Sequence, residues 1–348
     1  MLRRLLIALG ILVAAVAVWL VWLMNAAGEF RTLTPHFDGT CTAVPIVGAE
    51  DLTIDQATGI AYVSSTDRWA LFAGQPPKGA LYAYDLNAPS PQPVNLTPNA
   101  DPSFSPHGIS LYVDPDGSRT LFVINHAQRR NTIEVYDVAG SRLTHRTTLA
   151  DPLLVSPNDL VAVSRTQLYV TNDHRYPPGT MRTIEEYLRR PWANVVMWDG
   201  HAFHEAARGI QLANGINHSA DGKRVYVVAT IGRAVRVYDR DAATGALTLR
   251  REIALASGGD NVEVDADGSL WIGAHPKLLT LVRYMSHKRP YAPSQILHVL
   301  APDTAPEVRE VYLDLGEQIS GASVGAARGK RLLIGAIADA KLLDCTMR

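Results

Sequence analysis

The sequence predicts an all-β fold, a six-bladed β-propeller with an N-terminal transmembrane helix and short helical covers over one face. The first observation is a repeat. Two short apolar strands joined by a turn, followed by a third strand, recur six times at intervals of roughly 45–60 residues. The second is the scarcity of helical segments, which excludes a barrel with a helix between successive strands. Radial repetition is one of the few architectures that protect the edges of so many strands.

Composition restricts the classes of function. The chain has 348 residues, 47% of them hydrophobic, and 33 Lys and Arg against 34 Asp and Glu, which leaves a formal net charge of -1. A chain of this length can bury a core without metal or disulfide staples. The balanced charge gives no field of one sign that would attract nucleic acid, so a nucleic-acid partner is not expected.

An apolar segment, Leu5 to Met24, is long enough as a helix to cross the roughly 30 Å hydrocarbon core of a bilayer. Arg3 and Arg4 precede it, and the next basic residue is Arg31. The positive-inside rule therefore places the N-terminus in the cytoplasm and the remainder of the chain outside. A cleaved signal peptide is the alternative, although its apolar region is usually about 7–15 residues long. Both alternatives predict export.

This pattern divides the chain into a signal-anchor helix over residues 1–28, a linker over residues 29–40 and a propeller domain over residues 41–348. We expect the propeller on the periplasmic or extracellular side of a membrane, or secreted if the N-terminal segment is cleaved. An oxidising compartment lets a disulfide persist. Cys41 opens the domain and Cys345 nearly ends it, which favours a bond that closes the ring of blades. Two unrelated buried thiols are the alternative.

The repeated strands are rich in Val, Ile and Tyr, as β-strands are. Asp-Gly dipeptides, such as Asp116-Gly117, separate first from second strands and favour tight hairpins. Helical patterns cover Met181 to Arg190 and Leu278 to His287, and each follows a second strand, so we expect them to cover one face of the propeller. The second strands are IAYVSS from Ile60, TLFVIN from Thr120, QLYVTN from Gln167, RVYVVA from Arg224, SLWIGA from Ser269 and RLLIGA from Arg331.

A polar pair opens the first strand of each repeat. The first strands of a propeller are innermost and run in the same direction, so these pairs should converge on one end of the central channel. One such pair is ordinary turn chemistry. Recurrence at the same topological position indicates a site. The pairs are Glu50-Asp51, His107-Gly108, Asn158-Asp159, Asn214-Gly215, Asp260-Asn261 and Ser320-Gly321.

The oxygen atoms of these pairs predict a site for a hard cation. Calcium takes about 6–8 oxygen ligands in loose geometry, whereas zinc prefers nitrogen and sulfur. Asp51 and Asp159 lie one residue further along their strands, so we expect them to point deeper into the channel, where they could hold a second, structural ion. The expected ligands of the first ion are Glu50, Asn158, Asn214, Asp260 and Asn261.

Two histidines are expected above the same end of the channel. His107 opens a first strand, and His126 follows the second strand of the same blade, which returns to that face. By the same logic Asp173, His174 and His275 reach this face from other blades. An isolated histidine is usually structural. His107 and His126 are the candidate catalytic residues because topology pairs them beside the expected metal.

Eight segments of the domain match a known family. They are GAEDLTID, SPHGISLYVDPDG, LFVINHAQRRNTIEVYDV, PNDLVAV, YVTNDH, ANGINHSADGKRVYV, DNVEVDADGSLWIGAHP and LLIGAIADAKLLDC. These segments, which span Cys41 to Cys345, resemble the calcium-dependent paraoxonases, a family of arylesterases and lactonases within the wider gluconolactonase-like propellers. The resemblance implies a retained hydrophobic N-terminus, a disulfide between those two cysteines, and a six-bladed propeller with two central calcium ions.

The resemblance also implies roles for particular residues. It assigns the structural calcium to Asp51, Asp159 and the backbone carbonyl of Ile109, and it matches His107 and His126 to the histidine dyad of the family. The segments Arg175 to Trp192 and Lys277 to Pro293 are only loosely similar to the family. Because these segments cover the site, the resemblance does not determine the substrate. For the catalytic calcium it implies the set Glu50, Asn158, Asn214, Asp260 and Asn261.

The sequence therefore predicts a calcium-dependent hydrolase of lactones with arylesterase side activity, acting on a small-molecule lactone or ester. In this hypothesis calcium polarises the carbonyl and a histidine assists the attacking water. A sugar-lactone hydrolase or a phosphotriesterase on the same site is the nearest alternative. A non-catalytic calcium-binding propeller that acts as an exported interaction module is an alternative of a different class.

Overall fold

The structure, a computed structural model, describes residues 1–127 and 130–348. It begins with helix α1 (Leu2–Ala26), followed by the short strand β1 (His36–Phe37) and by β2 (Gly39–Val44). Helix α1 contains the segment predicted to cross a membrane. It has a mean hydropathy of 2.8 over its most apolar window, and none of that window is buried against the propeller.

Six antiparallel sheets follow, as predicted, and they form the blades of a propeller. Blade 1 contains β3 (Ala49–Asp55), β4 (Ile60–Ser65), β5 (Ala80–Asp85) and β6 (Val94–Asn95). Blade 2 contains β7 (Pro106–Val113), β8 (Arg119–Ala127), β9 (Arg130–Ala139) and β10 (Arg142–Leu149). Blade 3 contains β11 (Pro157–Ala162), β12 (Leu168–Asn172), β13 (Ala193–Trp198) and β14 (Phe203–Ile210).

The second half of the ring repeats this order. Blade 4 contains β15 (Ala213–His218), β16 (Arg224–Ala229), β17 (Ala234–Arg240) and β18 (Leu247–Ala254). Blade 5 contains β19 (Gly258–Val264), β20 (Leu270–His275), β21 (Ser294–Leu300) and β22 (Glu307–Asp314), with β1 added at its outer edge. Blade 6 contains β23 (Ala322–Arg328), β24 (Arg331–Ala336) and β25 (Leu342–Met347), and β2 completes it.

The two ends of the propeller meet in blade 6. Strand β2 pairs with β25 along six residues, and Cys41 stands directly opposite Cys345 in that register. The two cysteines form a disulfide, which confirms the predicted closure.

The core lies between neighbouring blades. Each of the six blade interfaces contains its own cluster of buried apolar side chains. In β16, Val225 and Val227 pack toward blade 3, whereas Tyr226 and Val228 pack toward blade 5. Both faces of such a strand are buried, which explains why the second strands are apolar throughout rather than alternating.

In the described part of the chain, three short helices interrupt the blades, and each connects a second strand to a third strand. They are α2 (Arg68–Phe72), α3 (Thr180–Tyr187) and α4 (Leu278–His287). Helix α4 has the predicted bounds, and α3 lies within one residue of the predicted start but ends three residues earlier. Helix α2 was not predicted. It is five residues long, and the Asp67 carboxylate caps it by accepting from the Ala70 amide at 2.9 Å.

Candidate functional site

Five of the six polar pairs lie at irregularities of the inner strands. In blades 1 to 5 the regular pairing between the first and second strands shifts at the predicted polar pair, whereas in blade 6 Ser320 and Gly321 precede strand β23 and the shift falls at Ser323. A β-bulge removes a residue from the ladder and re-aims its side chain, which is why bulges are common beside active sites. The shifts fall between Ala49 and Asp51, Pro106 and Ile109, Pro157 and Leu160, Ala213 and Ile216, Gly259 and Val262, and Ala322 and Val324.

Two glycines in these pairs let adjacent inner strands approach closely. A Cβ at Gly108 would lie 2.6 Å from the Asn158 carbonyl oxygen, and a Cβ at Gly215 would lie 2.5 Å from the Asp260 carbonyl oxygen. Any other residue would push the neighbouring blade outward. The pairing of a polar residue with glycine therefore brings the side chains of different blades to one point.

At this point four buried side-chain oxygens have no hydrogen-bond partner within the described part of the chain. All four belong to residues of the expected calcium shell: Glu50 Oε2, Asn158 Oδ1, Asn214 Oδ1 and Asn261 Oδ1. Asn261 Nδ2 donates to Glu50 Oε1 at 3.0 Å and to the Glu50 carbonyl at 3.1 Å, which fixes both side chains. A buried polar atom without a partner costs free energy unless something binds it.

The remaining expected ligand, Asp260, is held by a histidine. His275 Nε2 lies 2.7 Å from Asp260 Oδ2, and both side chains are buried. Burial raises the pKa of Glu50 to about 7, against the opposing charge of Arg68. The Glu50 carboxyl therefore carries a burial penalty that a bound cation would offset.

The donor set fits calcium better than a transition metal. No group of three His, Cys, Asp or Glu side chains is arranged to hold a metal among residues 1–127 and 130–348. The cluster instead combines two carboxylates with three amide oxygens, which are hard ligands. The residues present therefore fit a calcium ion.

The two deeper aspartates occupy equivalent positions in blades 1 and 3. Asp51 Oδ2 accepts from the Ile109 amide at 2.7 Å, and Asp159 Oδ2 accepts from the Ile216 amide at 2.8 Å. Burial raises the pKa of both carboxyls well above the usual range, and the charge of Asp159 adds to the shift of Asp51. The structure brings Ile109 into contact with Asp51 through its amide, while the ligand role of its carbonyl stays a prediction.

The two candidate catalytic histidines lie together above the oxygen cluster. Their ring centroids are 4.9 Å apart in an edge-to-face arrangement. His107 Nε2 lies 3.6 Å from Glu50 Oε2. Burial lowers the pKa of His107 well below its usual range, with further lowering by Arg68 and His126, and burial also lowers the pKa of His126.

Sequence reasoning missed one residue of this cluster, Arg68 of helix α2. Its guanidinium is buried and lies 2.8 Å from His107 Nδ1. The connection that contains it has no periodic pattern in the sequence, so the only sequence signal is a basic residue shortly after a second strand.

A Gly-x-Ser-x-Gly match was also missed, at Gly321 to Gly325, a spacing typical of serine hydrolases. Ser323 lies inside strand β23 rather than at a strand-to-helix turn, and its hydroxyl donates to the Glu50 carbonyl at 2.5 Å. The serine is fully buried and supports the cluster rather than acting as a nucleophile elbow.

The cluster forms the floor of a cavity of about 320 Å³. Helices α3 and α4 form its walls, and Leu23 of α1 and Ala27, the residue that follows α1, also line it. A cluster of charged side chains also lines the cavity. In this cluster His174 Nδ1 lies 2.7 Å from Asp173 Oδ1, and His174 Nε2 lies 2.9 Å from Glu186 Oε1. Expected residues of this face that line the cavity are Glu50, His107, Asn158, Asp173, His174, Asn214, Asp260 and His275.

The chain thus belongs to the class of β-propellers, with a cavity over a polar floor at one end of its channel, and concave sites of this kind commonly bind small molecules. The family model described as "Arylesterase" matches residues 42–347. The chain therefore belongs to the arylesterase family, whose members are ester hydrolases.

Curated relatives agree with this assignment, and solved structures share the fold. The chain is 33% identical to serum paraoxonase/arylesterase 2 of Gallus gallus, covering 94% of this chain and 95% of that protein. It is 32% identical to serum paraoxonase/arylesterase 1 of Homo sapiens, covering 86% of each. A luciferin-regenerating enzyme is similar in fold, with a TM-score of 0.56 and 14% identity over 88% of this chain and 95% of that chain. A calcium-binding regucalcin of Agrobacterium tumefaciens has a TM-score of 0.53 and 16% identity over 91% and 98%.

Proposed function

We propose that this chain is a membrane-tethered, calcium-dependent hydrolase of lactones with arylesterase side activity. The observation that carries the proposal is the convergence of four unpartnered buried oxygens, among the described residues, beneath a histidine pair. Membership of the arylesterase family supports hydrolysis of esters as the reaction.

Glu50, Asn158, Asn214, Asp260 and Asn261 would hold the catalytic calcium, and Asp51, Asp159 and the Ile109 carbonyl would hold a second, structural ion. A bound calcium supplies Lewis-acid polarisation of the substrate carbonyl and charge for the oxyanion. The protein contributes the fixed orientation of the ligands. Asn261 and Ser323 hold Glu50 from two sides, and His275 holds Asp260.

The histidine pair handles the proton of the attacking water. His107 lines the cavity and His126 packs against its ring, so both imidazoles are fixed before substrate binds. The apolar walls, which include Leu279 and Val282 of α4, bind the hydrocarbon part of an ester and exclude bulk water from the reacting carbonyl.

We also propose that α1 spans a membrane, with the propeller outside the cytoplasm. Its apolar length and its exposed surface support this topology. The disulfide supports an oxidising compartment. In this proposal residues 1–28 anchor the domain that begins at Cys41.

The test is hydrolysis of phenyl acetate and of a simple lactone by the full chain, before and after treatment with a calcium chelator. We expect the chelator to abolish both activities and added calcium to restore them. Retention of both activities in the chelator would overturn the calcium proposal. Adding a sugar lactone and a phosphotriester to the panel compares the alternative substrates. If none of these compounds is hydrolysed, the non-catalytic calcium-binding propeller becomes the better hypothesis.

A further inference from the structure

The Arg68 guanidinium lies close to three polar groups at the candidate site. Its Nη1 donates to the Ile337 carbonyl at 2.7 Å, its Nη2 lies 2.8 Å from His107 Nδ1, and Nη2 is 4.0 Å from Glu50 Oε2. The residue is 8% exposed. A buried guanidinium so close to an imidazole restricts what that imidazole can do.

A guanidinium has only hydrogen-bond donors, so His107 Nδ1 must be the acceptor in this contact. A neutral imidazole that accepts at Nδ1 carries its proton on Nε2. His107 Nε2 is the nitrogen that faces Glu50 Oε2 at 3.6 Å. In this tautomer Nε2 has no lone pair available, so it can only donate a hydrogen bond and cannot take a proton from water, and no acceptor among the described residues lies within hydrogen-bond distance of it.

His126 is held in the opposite tautomer. Asn131 Nδ2 donates to the carbonyls of Leu154 and Val155 at 3.1 and 3.2 Å, which fixes the orientation of the amide. Asn131 Oδ1 is therefore the atom that lies 2.9 Å from His126 Nδ1, and it can only accept. His126 carries its proton on Nδ1, and Nε2 holds the lone pair.

We propose that Arg68 is a positioning residue that makes His107 a hydrogen-bond donor in the active site and leaves His126 Nε2 as the base of the pair. This assignment rests on the proposed hydrolase function. The water oxygen bonds to the carbonyl carbon while its proton passes to His126 Nε2. The carbonyl electron pair moves onto oxygen, where the His107 Nε2–H donates. The bond to the leaving group then breaks, and the departing oxygen takes the proton from His126.

The direct test measures the two tautomers in the unsubstituted full chain. The full chain is labelled with ¹⁵N at histidine and placed in detergent micelles, and the ring-nitrogen resonances are recorded with and without calcium. His107→Gln identifies the His107 signals by their loss. We expect an unprotonated Nδ1 and a protonated Nε2 at His107, and the reverse at His126. A protonated Nδ1 at His107 would overturn the proposal, whether or not the protein hydrolyses a lactone.

Substitutions then test the roles. The amide nitrogen of His107→Gln can replace the Nε2–H donor, whereas His107→Ala cannot. We expect His107→Gln to retain turnover within about tenfold of the wild type, and His107→Ala to lose about 10²–10³-fold as for a lost oxyanion donor. His126→Gln should lose about 10²–10⁴-fold as for a lost base. Equal losses in the two His107 variants would overturn the donor assignment.

Arg68→Met removes the contact to Nδ1 without adding a charge. We expect kcat to fall at least about tenfold, with KM nearly unchanged, and the His107 signals to show a mixture of tautomers. Arg68→Gln keeps an N–H donor, so it should restore part of the kcat and part of the single-tautomer signal of His107. Calcium affinity should not weaken in Arg68→Met, because the substitution removes a positive charge near Glu50.

The control is Arg240→Met, which removes a part-buried arginine that contacts Tyr169 far from the site and should leave the tautomers unchanged. Normal tautomers with no turnover of any ester by the wild type would reject the proposed function and leave the Arg68 contact intact. Normal turnover with the wrong tautomer would reject only the inference.

Discussion

At the scale of single residues, the site concentrates buried acids. Glu50, Asp51 and Asp159 all have pKa values raised chiefly by burial, and their hydrogen bonds do not compensate fully. Such a cluster is costly without a cation and favourable with one. Changes in its charge should therefore be read first in calcium binding and only then in turnover.

The first prediction concerns Glu50→Gln. The new amide oxygen can still accept from Asn261, so the fold should persist, but one formal charge is lost from the shell. We expect calcium affinity to fall roughly 10–100-fold and excess calcium to restore part of the activity. Calorimetric titration of the wild type and the variant with calcium measures the change in affinity. Glu307→Gln, an exposed change on β22, is the control, and equal affinity in wild type and Glu50→Gln would contradict Glu50 as a ligand.

The second prediction concerns the pH dependence of stability. Burial opposes the charged form of His174, but hydrogen bonds to Asp173 and Glu186 outweigh it and raise the pKa of His174 to about 9. A raised pKa in the folded state stabilises the protein below the unfolded value of about 6.5, and the contribution is lost as pH rises through about 9. The free energy of unfolding should therefore fall on the order of 3 kcal/mol between about pH 6 and pH 9.5 from this group.

Chemical denaturation at the two pH values measures this difference. In His174→Asn the pH dependence over that window should largely disappear, because the titrating group is gone. His36→Asn, at an exposed histidine on β1, should keep the slope of the wild type. A His174→Asn variant with the full wild-type slope would show that another group causes it.

At the scale of elements, the segment that follows helix α1 is hydrogen-bonded to the cover helix α4. Glu29, just beyond α1, accepts from the amides of Leu279 and Thr280 at 2.8 and 3.1 Å, and from the Thr280 hydroxyl at 2.7 Å. These are N–H groups of the first turn of α4, which its own N-cap residue, Lys277, leaves without a side-chain cap. A carboxylate there also favours the helix dipole.

The third prediction is that Glu29→Ala loosens α4. We expect a loss of about 1–2 kcal/mol in the free energy of unfolding, as for a removed helix cap. KM for an ester should rise more than kcat falls, because Leu279 and Val282 of α4 line the cavity while the floor is untouched. Denaturation and steady-state kinetics measure both effects. Glu317→Ala, at an exposed acid, is the control, and an unchanged KM would show that the cap does not reach the cavity.

The elements that could be predicted from the sequence are those whose residue pattern recurs along the chain. Each second strand is apolar because both its faces are buried, and the same strand recurs in every blade, so the number of blades follows from the pattern. Helix α4 could be predicted because its apolar residues recur at helical spacing. Helix α2 could not, since five residues carry too little periodicity.

The site divides in the same way. The ring of polar residues could be predicted because one topological position repeats around the channel. Arg68 lies on an unrepeated connection, so no pattern places it against His107. The pairing of Asp260 with His275 needs the register of β19 and β20, which sequence does not supply.

At the scale of the whole molecule, stability depends on closing the ring. Each blade packs only against its two neighbours, so blade 6 must join residues from the two ends of the propeller. Two devices hold that blade together: the ladder between β2 and β25, and the disulfide within it. Opening blade 6 exposes the apolar interfaces on both of its sides.

The last prediction concerns this bond. Cys41 and Cys345 are 304 residues apart in sequence, and chain-entropy arguments assign a loop of that size on the order of 5 kcal/mol. We expect reduction to lower the midpoint of thermal unfolding while leaving ester turnover at room temperature nearly unchanged, because β2 and β25 are outer strands remote from the channel. The double variant Cys41→Ala, Cys345→Ala should unfold at the midpoint of the reduced wild type, and reductant should not lower it further. An unfolding midpoint that is the same with and without the bond would mean that the β2–β25 ladder alone closes the ring.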